Sequence, residues 1–270
     1  MWKAVCTDID GTLLNADRRL SERTISAFQR IKDKATIILA SSRMPAAMRH
    51  LQQDIGITEA PLICYNGGYI IDQTAGVRCL SSVTIPFAWV KEITSWCIAN
   101  DLHASLYHED EWYVPSDDFW AQRESNNTQV VPKVLANLAV LNMWEPNKIG
   151  AHKIMLMGEE GKIDKIVSLL TNMDAPLHLY RSKDTYLEIA PKAISKATAL
   201  SLLIAERYDF SLPAIMAFGD NYNDIDMLRA VGKGIAVANA KPEVLAAAHE
   251  HTDHAKQDGV AKSIEKYFKF

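Results

Sequence analysis

The sequence predicts an α/β fold in which a mostly parallel sheet forms the core and a smaller α+β domain with an antiparallel sheet is inserted. At both ends of the 270-residue chain, short apolar runs alternate with helical segments, as in parallel sheets covered by helices on both faces. Between them, the predicted order is helix, strand, strand and then strand, helix, strand, strand, which is typical of an α+β domain. We therefore assign residues 1–83 and 189–270 to the core and residues 84–188 to the inserted domain.

The composition is ordinary for a soluble globular protein, with 48% hydrophobic residues, 23% charged residues and a net charge of −4. Basic and acidic residues are interspersed, which disfavours nucleic acid or an anionic membrane as a partner. Met1 leads almost directly into a strand and no apolar run is long enough to span a membrane, so we expect neither signal peptide nor anchor. The cysteines lie in apolar runs without a C-x-x-C pair, which favours reduced, buried core residues in a cytoplasmic protein: Cys6, Cys64, Cys79 and Cys97. The oligomeric state is left open.

The first strand, Ala4 to Cys6, ends at two carboxylates, Asp8 and Asp10, which Gly11 follows. Because ligands of parallel sheets bind at the carboxyl ends of the strands, these acids lie where a site is expected. Close carboxylates repel each other unless they share a cation, and a hard cation such as Mg²⁺ suits oxygen ligands. The alternative is an Asp-Gly turn without function, whereas the spacing of a Ca²⁺ loop does not fit. A helix from Ser21 to Lys32, capped by Ser21, follows this loop.

The second strand, Ala35 to Ala40, also ends at polar residues: Ser41, Ser42 and Arg43. Hydroxyl groups and an arginine just before a helix that begins with a proline suit the binding of an anion. The alternative is that Ser42 caps this helix, Pro45 to Ile55, and that Arg43 is solvated. Taken alone, the segment favours neither interpretation.

Beyond residue 60 the pattern changes to antiparallel pairing. Residues 61–65 and 69–72 are predicted to form a hairpin around the tight turn Asn66-Gly67-Gly68, and Val77 to Thr84 adds a strand. Within this turn Asn66 is either a turn former or a ligand, and its type favours the turn.

The inserted domain contains further predicted helices and strands. The predicted strands are His103 to Tyr107, Glu111 to Val114, His152 to Met157, Leu177 to Arg181 and Thr185 to Ala190. The predicted helices are Phe87 to Ala99, Asp117 to Glu124 and Lys162 to Asn172, with an irregular stretch between the second and the third.

After Pro191 the α/β pattern returns with an apolar helix that runs from Ala193 to Tyr208. Its first turn contains Lys196, and a positive charge is unfavourable there because a helix N-terminus is itself positive. An anion bound at this place would explain the lysine. The alternative is a surface lysine that tolerates a small cost.

The next apolar strand, Ala214 to Phe218, is followed by two acids, Asp220 and Asp224. Both are again expected at the carboxyl end of the sheet. Helix capping by Asn223 and Asp224 is the alternative, but it does not account for Asp220, which precedes the helix. After a last strand, Gly234 to Val237, a polar loop holds three histidines without the spacing of a zinc site: His249, His251 and His254.

Six polar side chains are thus expected at strand ends or at a helix start: Asp8, Asp10, Ser41, Lys196, Asp220 and Asp224. Acids for Mg²⁺, a carboxylate that can attack, a hydroxyl and a lysine are the groups that phosphoryl transfer needs. The set therefore indicates phosphate chemistry.

The same residues resemble the four motifs of the haloacid dehalogenase superfamily: Asp8-Ile9-Asp10-Gly11-Thr12, Ala40-Ser41-Ser42-Arg43, Lys196, and Gly219-Asp220 with Asn223-Asp224. Three further segments resemble its Cof-type sugar-phosphatase branch: Asn66-Gly67-Gly68, Asn239-Ala240 and Asp258-Gly259-Val260-Ala261. The resemblance covers essentially the whole chain. It implies a Rossmann-like core with an α+β cap inserted between the second and third motifs.

The resemblance also implies roles for the matching residues. Asp8 would be the nucleophile that forms an aspartyl-phosphate, and Asp10 the acid towards the leaving alcohol and then the base towards water. Ser41 and Lys196 would bind the phosphoryl group. The implied metal residues are Asp8, Asp10 through its backbone carbonyl, Asp220 and, in support, Asp224. The implied phosphate- or substrate-binding residues are Ile9, Ser41, Ser42, Arg43, Asn66, Lys196 and Asn223.

Two positions depart from the family pattern. The family often has Thr-Gly in place of Ser41-Ser42 and Lys-Gly in place of Lys196-Ala197. Serine keeps the hydroxyl group, so the chemistry is expected to survive. The effect of Ser42 and Ala197 on the backbone geometry around the phosphate is left open.

We therefore expect a Mg²⁺-dependent phosphatase of small phosphorylated metabolites, with sugar phosphates favoured. The alternatives are a phosphomutase, a phospho-acceptor like a receiver domain, and a binding protein that kept the fold. The cap is expected to close over the site and to select the leaving group, with four candidate residues: His108, Trp112, Lys153 and Arg181.

Overall fold

The chain divides into two units, one formed by Met1–Ser81 with Ile194–Phe270 and the other by Ser82–Ala193. The structure is a computed structural model that describes residues 2–74, 76 and 78–270, except for the side chains of Arg78 and Ser182. Among these residues, none of the helices combines the length and the apolar character needed to cross a lipid bilayer.

Helices and strands alternate in the first unit, whereas strands follow one another more often in the second. The strands are β1 (Ala4–Thr7), β2 (Thr36–Ala40), β3 (Leu62–Cys64), β4 (Tyr69–Asp72), β5 (Arg78–Ser82), β6 (His103–His108), β7 (Glu111–Val114), β8 (Lys133–Val134), β9 (Lys153–Met157), β10 (Leu177–Lys183), β11 (Tyr186–Pro191), β12 (Ile215–Gly219), β13 (Lys233–Val237) and β14 (Glu250–Thr252). The helices are α1 (Glu22–Gln29), α2 (Ala46–Ile55), α3 (Phe87–Ala99), α4 (Phe119–Thr128), α5 (Asn137–Trp144), α6 (Glu160–Asn172), α7 (Lys196–Arg207), α8 (Ile225–Ala230), α9 (Pro242–Ala247) and α10 (Gly259–Phe268).

The sheet of the first unit has the strand order β14, β13, β12, β1, β2, β3, β4, β5. From β14 to β3 all neighbouring strands are parallel, and β3 and β4 pair antiparallel. Strand β1 lies between β12 and β2, and all of its residues are buried. Apolar runs without polar alternation therefore form a parallel sheet, and the predicted α/β fold class is confirmed.

The helices of the first unit pack in two groups, α1 with α2 and α10, and α8 with α7 and α9. Helix α1 begins after Ser21, whose hydroxyl oxygen accepts the N–H of Thr24 at 3.0 Å, so the predicted cap is confirmed. This helix ends at Gln29 and not at the predicted Lys32. Helix α7 begins at Lys196, which places this lysine in the first turn, as predicted.

The second unit contains a sheet in the order β10, β11, β9, β6, β7, β8. Neighbouring strands are antiparallel except for β7 and β8, which confirms the predicted α+β architecture. Apolar residues of the sheet and of helices α3, α5 and α6 form one buried core, which includes Val90, Leu106, Trp144, Ile163 and Leu187.

Several local predictions differ from the structure. Three of the cysteines are buried as expected, but Cys79 in β5 is exposed. The stretch expected to be irregular contains β8 and α5, and part of the expected histidine loop forms β14.

Strands β3 and β4 pair as predicted, and the turn that joins them has positive φ at both Asn66 and Gly67, 57° and 105°. The N–H of Gly68 donates to the carbonyl of Tyr65 at 3.0 Å, so the predicted tight primed turn is confirmed, and Tyr65 additionally has positive φ. The predicted start of the next strand, Val77, lies outside the described residues, and the described strand is β5.

Candidate active site

Acids that are distant in the sequence meet at the carboxyl ends of β1 and β12. Because these strands are parallel neighbours, Asp8 and Asp220 leave the sheet at the same edge. The backbone N–H of Asp8 donates to the carbonyl of Phe218 at 3.0 Å. One carboxylate oxygen from each of Asp8, Asp220 and Asp224 lies within 4.8 Å of the other two. The structure thus brings together three of the four acids that were predicted to hold a metal.

Lys196 supplies a positive charge to this acid cluster. Its side chain is completely buried, and its ammonium lies 2.5 Å from Oδ1 of Asp8 and 2.7 Å from Oδ1 of Asp224. Burial alone would lower the pKa of Lys196, but the carboxylates of Asp224 and Asp8 outweigh burial and raise this pKa. Because a buried ammonium is stable only when it is paired, the ion pairs account for its position. The alternative of a surface lysine is wrong.

Both carboxylate oxygens of Asp224 are engaged by protein groups. Oδ1 accepts a hydrogen bond from Lys196, and Oδ2 accepts the backbone N–H groups of Asp220 and Asn221 at 3.0 and 3.1 Å. A Cβ at Gly219 would lie 2.5 Å from the Cβ of Asp224, so a glycine is required where β12 passes this acid. Asp224 therefore combines the capping role that was considered for it with an ion pair, and it orients Lys196.

Asp220 is held by the loop that follows β1. The hydroxyl of Thr12 donates a hydrogen bond to Oδ1 of Asp220 at 2.7 Å. Gly11 has a φ of +91°, and a side chain there would overlap with the carboxylate of Asp220. Thr12 is not among the predicted site residues, although its place directly after Asp-x-Asp-Gly is a signal for this contact.

The charges of the cluster fit a divalent cation. Three carboxylates meet one ammonium, which leaves two negative charges when all four groups are ionised. Burial raises the pKa of Asp8. The positive charge of Lys196 lowers this pKa and the negative charge of Asp224 raises it, and the net result is a raised pKa. Burial also raises the pKa of Asp220 against the hydrogen bond from Thr12. A hard cation would stabilise the ionised carboxylates, so the donors suit Mg²⁺.

The carboxylate of Asp10 binds two arginines. It accepts hydrogen bonds from Nε and Nη2 of Arg43 at 2.7 and 2.8 Å and from Nη2 of Arg18 at 2.9 Å. Burial would raise the pKa of Asp10, but Arg43 and Arg18 outweigh it and hold this pKa below its ordinary value. Arg43 is itself buried, and its Nη1 donates to the carbonyl of Ala47 at 3.1 Å. The alternative in which Arg43 is solvated is therefore wrong. Neither the pairing of Arg43 with Asp10 nor the contact of Arg18 with Asp10 was predicted from the sequence.

Ser41 follows β2, which is the other parallel neighbour of β1, and its hydroxyl oxygen accepts the N–H of Arg43 at 3.3 Å. Helix α2 begins at Ala46, and the residue directly before it is Pro45, which has no side-chain group that could cap it. The capping of this helix by Ser42 stays a prediction. The side chain of Ile9 is completely buried in the core. Only its backbone is therefore suited to the predicted contact with a substrate.

The side-chain amides of Asn66 and Asn223 contact each other at the ends of β3 and β12. Nδ2 of Asn223 donates to Oδ1 of Asn66 at 2.8 Å. Asn66 is buried in the turn Tyr65–Gly67, and Asn223 lies in the 3₁₀ turn Tyr222–Asp224. Two residues predicted to bind phosphate are thus adjacent.

The four candidate residues of the second unit have different surroundings. Trp112 is buried and stacks on Tyr107 with ring centroids 5.6 Å apart, and the ammonium of Lys153 lies 4.5 Å from the centroid of the same tyrosine. His108 lies 2.8 Å from a backbone carbonyl through Nδ1, and Arg181 forms an ion pair with an exposed aspartate. Their part in substrate selection stays a prediction.

Comparison with known proteins gives one family and one fold. The sequence matches the haloacid dehalogenase-like hydrolase family over residues 5–264. The 5-amino-6-(5-phospho-D-ribitylamino)uracil phosphatase of Bacillus subtilis is 25% identical over 272 residues, covering 98% of this chain and 97% of that protein. The HMP-PP phosphatase of Yersinia enterocolitica is 28% identical over 250 residues, covering 90% of this chain and 86% of that protein. A haloacid dehalogenase-like hydrolase from Bacteroides thetaiotaomicron superposes with a TM-score of 0.89 at 26% identity, covering 98% of this chain and 99% of the other.

Proposed function

Because the chain belongs to the haloacid dehalogenase-like hydrolases, we propose that it hydrolyses phosphate esters of small metabolites by way of Asp8. Membership confirms the family and the enzyme class that were predicted from the motifs. The observation that carries the proposal is the buried cluster in which Lys196 bridges Asp8 and Asp224 beside Asp220. A carboxylate that attacks, an ammonium and acids for a cation are the groups that overcome the charge of a phosphate ester.

Asp8 is the proposed nucleophile. Its ionised carboxylate attacks phosphorus, the bond from phosphorus to the leaving oxygen breaks, and the phosphoryl group remains on Asp8. Water then attacks this aspartyl-phosphate and releases inorganic phosphate. Lys196, at 2.5 Å from Oδ1, favours the ionised carboxylate that the first step requires.

Mg²⁺ is the proposed cofactor, with the side chains of Asp8 and Asp220 and the backbone carbonyl of Asp10 as its ligands. When bound, it offsets the negative charge of the phosphate and the carboxylates. Asp224 supports these ligands from its position between Lys196 and the backbone of Asp220.

Asp10 is the proposed acid and base of the two steps. It gives a proton to the leaving oxygen and later takes one from the attacking water. Since Arg43 and Arg18 occupy its carboxylate, proton transfer requires that one of these contacts changes. Ser41 and Asn223 are proposed to donate hydrogen bonds to the phosphoryl oxygens.

Phosphates of sugars and polyols are the proposed substrates. The Bacillus subtilis relative is named for a substrate with a phosphorylated ribityl group, which supports a phosphate carried by a polyhydroxyl chain. A phosphate-release screen across sugar, nucleotide and cofactor phosphates, with and without Mg²⁺, compares these classes directly.

Asp8→Asn tests the proposed nucleophile. We expect kcat to fall by about a thousandfold or more, because the amide is a poor nucleophile and no aspartyl-phosphate can form. Release of inorganic phosphate from p-nitrophenyl phosphate measures the effect. Asp33→Asn, at an exposed aspartate, is the control and should keep its activity.

Activity near that of the wild type in Asp8→Asn would contradict the assignment. A requirement for a bisphosphate activator in the wild type would indicate a phosphomutase instead.

A further inference from the structure

The turn that joins β3 and β4 has an unusual backbone. Three successive residues have positive φ, with 52° at Tyr65, 57° at Asn66 and 105° at Gly67. The left-handed region costs a residue with a side chain about 1–2 kcal/mol, although asparagine tolerates it better than most. A bulky tyrosine followed by an asparagine in this region therefore persists only where surrounding contacts hold it.

Those contacts are made with two segments of the candidate site. The N–H of Tyr65 donates to the carbonyl of Arg43 at 3.1 Å, and the N–H of Asn66 donates to the carbonyl of Ser41 at 2.8 Å. On the other side, a Cβ at Gly67 would lie 2.5 Å from the carbonyl oxygen of Ser195, the residue before Lys196. The turn is thus packed between the loop that carries Ser41 and the start of α7.

The side chain of Asn66 reaches a third segment of the site. Asn66 is 5% exposed, and its Oδ1 accepts a hydrogen bond from Nδ2 of Asn223 at 2.8 Å. The oxygen and nitrogen of an amide have nearly the same shape, so packing alone does not fix which of the two faces a neighbour. Among the described residues, Oδ1 of Asn223 is buried and accepts no hydrogen bond. The contact with Asn66 is therefore the one that selects the orientation of the Asn223 amide.

We propose that Asn66 is a positioning residue that acts on the substrate phosphate through Asn223 and is not itself a phosphate ligand. The inference rests on the proposed phosphatase function. One hydrogen of Nδ2 of Asn223 is used by Asn66, and the second donates to a phosphoryl oxygen. Without Asn66 the amide is free to rotate, and its oxygen then repels the phosphate.

The test uses a double-mutant cycle in the full chain. Asn66→Gly removes the amide, while glycine adopts a positive φ without strain, so the turn is kept. Asn223→Ala removes the group on which Asn66 acts. We expect each single substitution to lower kcat/KM for p-nitrophenyl phosphate by about tenfold or more. The kcat/KM of the double variant should be no lower than that of the less active single variant.

Binding of inorganic phosphate, measured by titration calorimetry in the presence of Mg²⁺, separates this inference from the proposed function. Both single variants should bind phosphate more weakly by similar factors. A wild type that binds phosphate but hydrolyses no ester contradicts the function alone. Equal phosphate affinity in Asn66→Gly and the wild type, or effects on kcat/KM that multiply in the double variant, overturns the role of Asn66.

Two further variants distinguish positioning from folding. Gln129→Gly changes another residue with positive φ, 59°, at an exposed helix end, and should leave the kinetics unchanged. Asn66→Asp keeps an acceptor for Asn223 and tolerates the left-handed region, so it should exceed Asn66→Gly in kcat/KM. The reverse order of these two variants would show that Asn66 only forms the turn.

Discussion

His152 is a buried histidine of the second unit whose hydrogen bonds select its neutral form. The backbone N–H of Glu109 donates to Nδ1 at 2.9 Å, so Nδ1 carries no proton, and Nε2 lies 3.0 Å from the hydroxyl oxygen of Ser82. Burial, together with the nearby His108, lowers the pKa of His152 to about 3. Protonation of Nδ1 would place a second hydrogen between this atom and the backbone nitrogen of Glu109, which already donates to it. This arrangement disfavours the charged form of His152.

We expect the free energy of unfolding to fall as the pH falls from about 6.5 towards 3, because the unfolded chain protonates this histidine first. His152 alone would contribute a loss of about 2 kcal/mol at pH 5 relative to neutral pH. Urea unfolding at several pH values measures this loss. His152→Gln should remove this part of the pH dependence, whereas His251→Gln, at an exposed histidine, should keep it. The same pH dependence in His152→Gln and the wild type would show that another group is responsible.

The residues of the candidate site could be predicted from the sequence where the signal is local. Asp8, Ser41 and Asp220 each follow an apolar strand, and strand ends are readable from hydrophobic patterns. The partners of these side chains could not be predicted, because contacts such as that of Arg43 with Asp10, or of Asn223 with Asn66, join residues 33 and 157 positions apart. A single sequence does not indicate which side chains point towards each other when they are so far apart along the chain.

Strand β12 shows how an element positions a site through the absence of a side chain. It ends at Gly219, where a Cβ would lie 2.5 Å from the Cβ of Asp224. Carbon atoms that are not bonded prefer separations of about 3.5–4.0 Å, so an alanine must displace either the strand end or the acid. Asp224 holds Lys196 and two backbone N–H groups, and its displacement would disturb all three.

We expect Gly219→Ala to lower kcat/KM by about tenfold or more and to lower the free energy of unfolding by about 1–3 kcal/mol, as overpacking does. Gly161→Ala is the matched control, because Gly161 lies in α6 and, apart from its chain neighbours and the backbone of its own helix, none of the described residues comes within 4 Å of the added Cβ. Alanine favours a helix relative to glycine, so the control should be as stable as the wild type or slightly more stable. Phosphate release and thermal unfolding give the two readouts. A fully active and stable Gly219→Ala variant would show that the strand end relaxes freely.

Elements that lack a regular pattern escape prediction for physical reasons. Helix α5 begins without a side-chain cap. Its apolar residues are not confined to its buried face, because Leu138 and Met143 are exposed while Val140 is buried, so the amphipathic pattern is hidden. Strand β8 contains two residues, which is too short for an alternating pattern to appear. The positive φ of Tyr65 is accompanied by contacts of this turn with distant segments, whereas the sequence Asn-Gly predicts positive φ only for Asn66 and Gly67.

At the scale of the whole molecule, the two units differ in the kind of pattern that their strands show. Strands of the first unit, such as β1, are buried along their whole length, whereas β10 and β11 pair antiparallel and contain half-buried positions. Parallel strands that are covered on both faces form continuous apolar runs in the sequence, whereas antiparallel strands with one exposed face alternate apolar and polar residues. The fold class was therefore predictable before any individual contact was.

The proposed cation binding also belongs to the scale of the whole molecule, because the folding of the first unit brings Asp8, Asp220 and Asp224 together. A ligand that binds the folded state alone stabilises it by about 2.7 kcal/mol at 100 times its Kd. For a chain of this size we expect Mg²⁺ at that concentration to raise Tm by about 5–10 °C. Thermal unfolding at constant ionic strength measures the shift.

Asp220→Asn should lose most of this shift, because it removes the charge of a proposed ligand while the hydrogen bond from Thr12 can still form. Asp226→Asn is the matched control, since Asp226 is exposed in the same segment and should leave the shift intact. This measurement does not depend on turnover, so it tests the cation site separately from the chemistry. An equal rise of Tm in Asp220→Asn and the wild type would mean that Mg²⁺ binds elsewhere and that the acid cluster serves only to hold Lys196.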